Sequence, residues 1–286
     1  MGKNMDSITI RAHAKINIGL RVLNRRADGY HNIVTIFQRL SLHDIVTIKQ
    51  IESGVQYSGE ELTPNPSNNL CVIAAEEYKR YFKQDIGVHI HLQKEIPVGA
   101  GLGGGSSDAA ATILGMDELF NTHTDKSELL QIASIIGSDV PFFILNTHAS
   151  FASGRGEILS EVNGLDVNSW VLIIFPEFEV STAWAYSCVA KHLTFEKNRN
   201  NLLNREFLDY QGDIPTANMG NDFEYPVFDA RPELRRERDR LLGAGAKFAM
   251  LSGSGSSLYG VFDGEAEARA AALESPFGLS FVCRHY

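Results

Sequence analysis

The stretch Pro97-Val98-Gly99-Ala100-Gly101-Leu102-Gly103-Gly104-Gly105-Ser106-Ser107-Asp108-Ala109-Ala110 decides how this chain is read. Its glycines at 99, 101, 103, 104 and 105 remove side chains that would block an approach to the backbone. They also permit positive φ, so that successive N–H groups can converge on one point. Ser106 and Ser107 are expected to open a helix, where the first amides are unpaired and the dipole end is positive. A polyphosphate placed there meets several N–H donors and two hydroxyls. A plain turn with a serine N-cap is the competing reading; it accounts for the serines but not for so much glycine.

Upstream, apolar residues hold every even position of residues 8–22: Ile8, Ile10, Ala12, Ala14, Ile16, Ile18, Leu20 and Val22. A period of two this long predicts a strand, or two through a bend, with one face in a core. The odd face, with Arg11, His13, Lys15, Asn17 and Arg21, is expected in the simplest reading to meet water. Asp28-Gly29 marks a turn before apolar residues 33–37, and another strand is expected over 44–51. Residues 58–69 read as a loop, 70–82 as a helix and 88–93 as a strand.

Downstream of the glycines, Ala109, Ile113, Met116 and Phe120 predict a helix with one apolar stripe. A second helix over 125–136 is expected to stop at Gly137 as its C′ residue. Residues 142–145 and 149–152 are short apolar segments, and 171–175 reads as a buried strand. Helices are expected over 183–192, 232–242 and 265–273, with strands near 248–251 and 258–262 flanking a second glycine loop. The fold class is α+β, in two halves divided near residue 160.

Three phosphate motifs compete for the first loop. A Walker A loop ends in Gly-Lys-Ser/Thr, and no lysine stands here. Gly99, Gly101 and Gly104 satisfy the dinucleotide G-x-G-x-x-G spacing, with Asp117 or Glu118 near the acidic position. That match is weak, because the loop follows a proline and the acidic pair falls inside the helix. The third reading is a kinase loop that starts a helix without a Walker lysine.

The third reading has a counterpart. Residues 97–107 resemble the central phosphate loop of the GHMP kinases, the superfamily of galactokinase, homoserine kinase and mevalonate kinase. Ala14-Lys15-Ile16-Asn17-Ile18, Gly137-Ser138-Asp139-Val140-Pro141-Phe142-Phe143 and Leu251-Ser252-Gly253-Ser254-Gly255-Ser256-Ser257 extend the resemblance over nearly the whole chain. Arg26-Ala27-Asp28-Gly29-Tyr30-His31-Asn32-Ile33 is similar to the branch that phosphorylates a cytidine diphosphate derivative of methylerythritol, in non-mevalonate isoprenoid synthesis.

The resemblance implies a two-domain GHMP kinase fold with its active site in the inter-domain cleft. Residues 1–160 would be the ATP-binding N-terminal domain and 161–286 the substrate-side C-terminal domain. ATP with Mg²⁺ would phosphorylate the 2-hydroxyl of the methylerythritol unit. Lys15 and Asp139 are implied as catalytic. Asn69, Lys94, Pro97, Gly99, Gly101, Leu102, Gly103, Gly104, Gly105, Ser106, Ser107 and Asp108 are implied to bind nucleotide. Asn17, Tyr30, His31, Thr182 and Tyr186 are implied to bind the substrate, with Trp184 or Phe178 as other candidates for the ring that closes on cytosine. The metal ligands are left open.

Taken from the residues alone, Asp139 ahead of Pro141 reads as a helix cap and Lys15 as a snorkelling strand lysine. Asn69 and Lys94 read as solvated. Asp108 departs from the Asn that such kinases often carry, and its charge would oppose a phosphate. Another GHMP kinase, of homoserine or mevalonate type, has no reason to keep Tyr30-His31 for cytosine. A non-catalytic nucleotide-binding protein would not need Lys15 together with Asp139.

Composition narrows the classes further. With 26 Lys+Arg against 35 Asp+Glu, the chain carries a formal charge of −9 and no basic stripe, which argues against a nucleic-acid partner. The longest apolar run, residues 170–175, is far short of the ~18 residues of a membrane span. No signal-peptide apolar region follows Met1. Cys71, Cys188 and Cys283 are too few and too dispersed for a disulfide framework, so a reducing cytoplasm is expected. His89 and His91 share a strand face but lack an evident third metal ligand. A monomer or homodimer is expected.

Overall fold

The alternation of residues 8–22 becomes one strand, β1 (Ser7–Arg25), in a computed structural model that describes residues 6–60, 65–83, 85–189, 205–212 and 215–286. The even residues from Ala12 to Val22 are buried as expected. The odd face departs from the simple reading: His13, Lys15 and Asn17 are buried as well, and only the ends of the strand reach water. Both faces of its middle are therefore covered, a setting in which a polar side chain needs a partner.

The turn at Asp28-Gly29 forms, with Gly29 at φ 87° and the Tyr30 amide donating to Asp28 Oδ1 at 3.1 Å. The apolar segments on either side of residue 40 join into a single strand, β2 (His31–Ile51), which pairs with β1.

The described residues group into two compact units. The first comprises those of Met1–Ala14, His43–Val98 and Gly103–Asn146; the second comprises those of Lys15–Leu42, Gly99–Leu102 and Thr147–Tyr286. This grouping is interleaved along the chain because β1 and β2 are long enough to serve both units. It is a different partition from a single cut at residue 160.

In the first unit, β3 (Val55–Gly59) runs parallel to β4 (Gly87–Gln93), and β4 pairs antiparallel with residues 45–51 of β2. Helix α1 (Leu70–Phe82) matches its expected bounds. Helix α2 (Gly104–Leu119) packs against α1 and α4 (Val140–Leu145), and it is buried around most of its circumference from Ser107 onward rather than along one stripe. Alanines at 109, 110 and 111 let neighbours approach on several sides, and Phe120 falls at the C-cap. Helix α3 (Lys126–Ile136) ends at Gly137, which is extended at φ −176°. A left-handed C′ glycine is thus not what stops it.

In the second unit, β5 (Ala149–Ser153) pairs with residues 35–38 of β2 and with β6 (Ile158–Glu161). A separate sheet has the order β10-β7-β9-β8, formed by Leu279–Arg284, Trp170–Phe175, Leu258–Phe262 and Phe248–Leu251. Helices α5 (Thr182–Val189), α6 (Glu224–Ala230), α7 (Pro232–Gly243) and α8 (Glu265–Leu273) complete the unit. Its core gathers Leu172, Ile174, Phe223, Leu234, Leu258 and Phe262. Each such side chain contributes roughly 1.5–3 kcal/mol by leaving water. The expected continuation of α5 to His192 lies outside the described residues.

Candidate active site

Each unit supplies its own set of functional groups, and the glycine loop passes through both. Gly99, Gly101 and Gly103 take positive φ, at 66°, 78° and 72°. Gly103 is the N-cap of α2 and contributes no side-chain capping bond. The helix therefore opens at Gly104, two residues ahead of the expected start, and neither Ser106 nor Ser107 caps it. The Ser107 amide already bonds to Gly103 O at 2.9 Å. The amides of Gly104, Gly105 and Ser106 lie ahead of the first helical hydrogen bond, at the positive end of the dipole. This is the arrangement that holds anions at helix starts.

Packing also explains part of the glycine content. In the second unit, a Cβ on Gly101 would stand 2.2 Å from the carbonyl oxygen of Ser252, and one on Gly99 would meet Glu179 at 2.4 Å. In the first, a Cβ on Gly104 would fall 3.1 Å from Lys94 Nζ. Open approach to the backbone was the reason inferred for these glycines; at 101 the space is occupied by the second glycine loop.

That second loop pins the first. Ser257 N donates to Ala100 O at 3.2 Å, Ser252 Oγ donates to Gly101 O at 3.0 Å, and Lys15 N donates to Leu102 O at 2.9 Å. Lys15 is 4% exposed, so its ammonium does not snorkel to solvent. Nζ donates to Asn17 Oδ1 at 2.6 Å and to Gly101 O at 3.2 Å, and lies 5.1 Å from the centre of the Phe37 ring. Asn17 Nδ2 donates to Thr35 Oγ1 at 3.0 Å, and the buried Tyr259 hydroxyl donates to Asn17 O at 2.9 Å. The lysine is thus oriented by neighbours that are themselves fixed. Thr35 and Tyr259 had no signal in the sequence, where they read as ordinary strand residues, and Ser252 had only its place in the second glycine loop.

In the first unit, Asp139 takes the N-cap position of α4 but makes no side-chain capping bond. Ser138 Oγ donates to Asp139 Oδ1 at 3.4 Å. The capping reading of Asp139 therefore does not hold. Asn69 does cap, its Oδ1 accepting from Cys71 N at 2.9 Å at the start of α1. Lys94 is buried rather than solvated, and bridges Asp44 at 2.5 Å and Asp108 at 2.9 Å. Asp44, which sequence reading passed over, also accepts the amides of Glu95 and Ile96 at 2.7 and 2.8 Å. Burial pushes the Asp108 carboxyl up to about 8 despite the pull of Lys94. Asp117, the acidic residue of the dinucleotide spacing, is engaged locally by the Thr124 amide at 3.1 Å.

The residues expected to read a base lie in the second unit. His31 and Tyr186 are stacked, with centroids 5.3 Å apart and planes 15° from parallel. Tyr186 also meets Phe223 edge-on at 4.8 Å. Burial, with the nearby Arg25, lowers the His31 pKa and favours the neutral ring. Trp184 is exposed, and Phe178 lies under the Arg231 guanidinium at 4.6 Å. Of the three candidate aromatics, Tyr186 is the one stacked on His31. Tyr30 is 59% exposed, with Arg155 at 5.2 Å from its ring centre. Thr182 Oγ1 is 2.9 Å from Ser254 Oγ of the second glycine loop. Among the described residues, no group of three or more His, Cys, Asp or Glu is placed to hold a metal ion, and no helix is long and apolar enough to cross a membrane.

Comparison with known proteins bears on this geometry. Residues 69–147 match the model of the GHMP kinases N-terminal domain and residues 202–277 that of the C-terminal domain. The 4-diphosphocytidyl-2-C-methyl-D-erythritol kinase of Geobacter metallireducens is 39% identical, covering 94% of each chain. That of Prosthecochloris aestuarii is 36% identical over 94% of this chain and 93% of its own. A crystal structure of 4-(cytidine 5'-diphospho)-2C-methyl-D-erythritol kinase superposes with a TM-score of 0.78 at 34% identity, covering 96% of this chain and 98% of that one. The mevalonate kinase of Methanococcus jannaschii, at 17% identity and TM-score 0.74 over all of both chains, shares the fold. The chain is a GHMP kinase and belongs, within that superfamily, to the 4-diphosphocytidyl-2-C-methyl-D-erythritol kinase family.

Proposed function

We propose that this chain transfers the γ-phosphoryl group of MgATP to the 2-hydroxyl of 4-diphosphocytidyl-2-C-methyl-D-erythritol, giving ADP and the 2-phosphate. The reaction serves non-mevalonate isoprenoid synthesis in the cytoplasm. The observation that carries the reading is the backbone of residues 99–106: three left-handed glycines leading into a helix start whose amides have no side-chain cap. Mg²⁺ enters on the nucleotide as part of the substrate.

Each role follows from local chemistry. The amides of Gly104, Gly105 and Ser106 receive phosphate oxygens, and the hydroxyls of Ser106 and Ser107 stand in the same turn. Lys15, already fixed against Gly101 O, supplies the positive charge that offsets the transferring phosphoryl group. Asp139, whose carboxylate is not spent on capping, accepts the proton of the attacking hydroxyl. His31 and Tyr186 hold the cytosine, with Tyr30 on the adjoining turn and Asn17 and Thr182 as polar contacts. The functional division assigns nucleotide binding to residues 1–160 and the substrate side to 161–286.

The test is ADP release by the purified protein with four acceptors: the cytidine substrate, homoserine, mevalonate and none. Release with the first alone is expected, and a loss of at least ~100-fold in kcat for Lys15→Ala and Asp139→Ala, with the folded state of each retained by circular dichroism. Turnover of homoserine or mevalonate, or near-normal rates in either variant, would overturn the assignment.

A further inference from the structure

Asp108 is built unlike the other carboxylate of its cluster. Asp44 receives three donors: the amides of Glu95 and Ile96 on Oδ1 and Lys94 Nζ on Oδ2. Asp108 receives Lys94 Nζ on Oδ2, at 2.9 Å, while its Oδ1 is buried with no hydrogen-bond partner. The residue is 1% exposed, so bulk water does not reach it. A carboxylate oxygen in that position bears the full cost of desolvation, whereas a proton on it removes the charge.

Charge balance agrees. Lys94 is shared by two acidic groups. The other titratable groups facing Asp108 are the Cys71 thiol of α1, pushed up to about 12 by burial, and the Tyr57 hydroxyl of β3, also raised chiefly by burial. Both are uncharged near neutrality. With Asp108 ionised the cluster carries a net negative charge out of water; with Asp108 neutral it is balanced. The dipole of α2 favours the ionised form, but that effect falls off within the first turn, and Asp108 is the fifth residue of the helix.

We propose that Asp108 is held as a neutral carboxylic acid in the resting protein, its proton on Oδ1, and that losing this proton weakens nucleotide binding at the start of α2. The second clause rests on the nucleotide reading above. Lys94 Nζ is the link: it touches Asp108 and stands beside Gly104, the first residue of the helix, where an added Cβ would come within 3.1 Å of it. When Asp108 ionises, the positive potential that Lys94 lends to the free amides is cancelled by a charge about 6 Å down the helix axis. After screening, this is expected to weaken an anionic ligand roughly five- to tenfold.

Two measurements test this. Carbon-13 titration of aspartate-labelled wild type, with Asp108→Asn for assignment, should show one carboxyl titrating near pH 8 that vanishes in the variant. Isothermal titration with MgADP between pH 7 and 9 should show affinity falling roughly five- to tenfold in the wild type, with that fall absent in Asp108→Asn. The proposal is overturned if every aspartate titrates below pH 6, a result the wild-type spectrum gives without the variant. It is equally overturned if both proteins lose affinity in parallel. If neither binds MgADP at any pH while the high-pH carboxyl is present, the neutral acid stands and the nucleotide reading falls.

Discussion

Gly101→Ala probes the geometry on which the glycine loop depends. Gly101 sits at φ 78°, where an L-residue costs about 1–2 kcal/mol. Its new Cβ would lie 2.2 Å from Ser252 O and 3.1 Å from Gly255 O, both of them backbone atoms. Relief requires about 1 Å of movement in one loop, comparable to overpacking a core at ~1–3 kcal/mol. Such movement also strains the bonds that Gly101 O accepts from Lys15 Nζ and Ser252 Oγ. A total of about 2–5 kcal/mol follows, which at an unfolding entropy of ~2.1 cal/mol/K per residue lowers the melting temperature of this 286-residue chain by roughly 3–8 °C. Gly105→Ala is the internal control. Its φ is not left-handed, its Cβ would meet only the flexible Leu70 Cδ1 at 3.2 Å, and alanine is favoured in a helix by ~0.5–1 kcal/mol. Thermal unfolding of both variants, with MgADP titration of Gly101→Ala, checks the reasoning. A Gly101→Ala protein that melts within a degree of wild type and binds MgADP normally would refute it, as would equal damage from Gly105→Ala.

Further outcomes follow from the same contacts. Tyr186→Ala should raise KM for the cytidine substrate about tenfold with a smaller change in kcat, since stacking on a base is worth ~1–3 kcal/mol; steady-state kinetics showing kcat alone reduced would contradict the cytosine role. Tyr259→Phe removes the buried hydrogen bond to Asn17 O, so urea unfolding should show a loss of about 1 kcal/mol; an unmoved midpoint would refute that contribution. The folded chain holds a proton on Asp108 that the unfolded chain has already released above pH ~4. This stability, present in acid, is lost as pH rises through about 8. The melting temperature of the free protein should therefore fall from pH 6 to 8.5 more steeply in wild type than in Asp108→Asn, and parallel profiles would count against it.

Much of the architecture is legible in the sequence. The period-two run of residues 8–22, the helical pattern of 70–82 and the short strands at 248–251 and 258–262 all sit where their local signals put them. Boundaries set by non-local packing were less legible. The α2 start moved to Gly104 because the left-handed Gly103, rather than a serine, turns the chain into the helix. The apolar segments around residue 40 gave no hint that they form one strand, since polar residues interrupt their pattern.

The sequence by itself determined the glycine loop, the helix that follows it and the family, because glycine spacing and alternation act over a few residues and leave a direct trace in the order of side chains. The surroundings of Lys15, Asp139, Lys94 and Asp108 were decided only by tertiary structure. A buried ammonium against Gly101 O, an aspartate at a cap position that does not cap, and a carboxyl oxygen without a donor each depend on groups brought together from distant parts of the chain. Charge and hydrogen bonding at a buried atom are set by what surrounds it in space, and one-dimensional order carries no record of those neighbours.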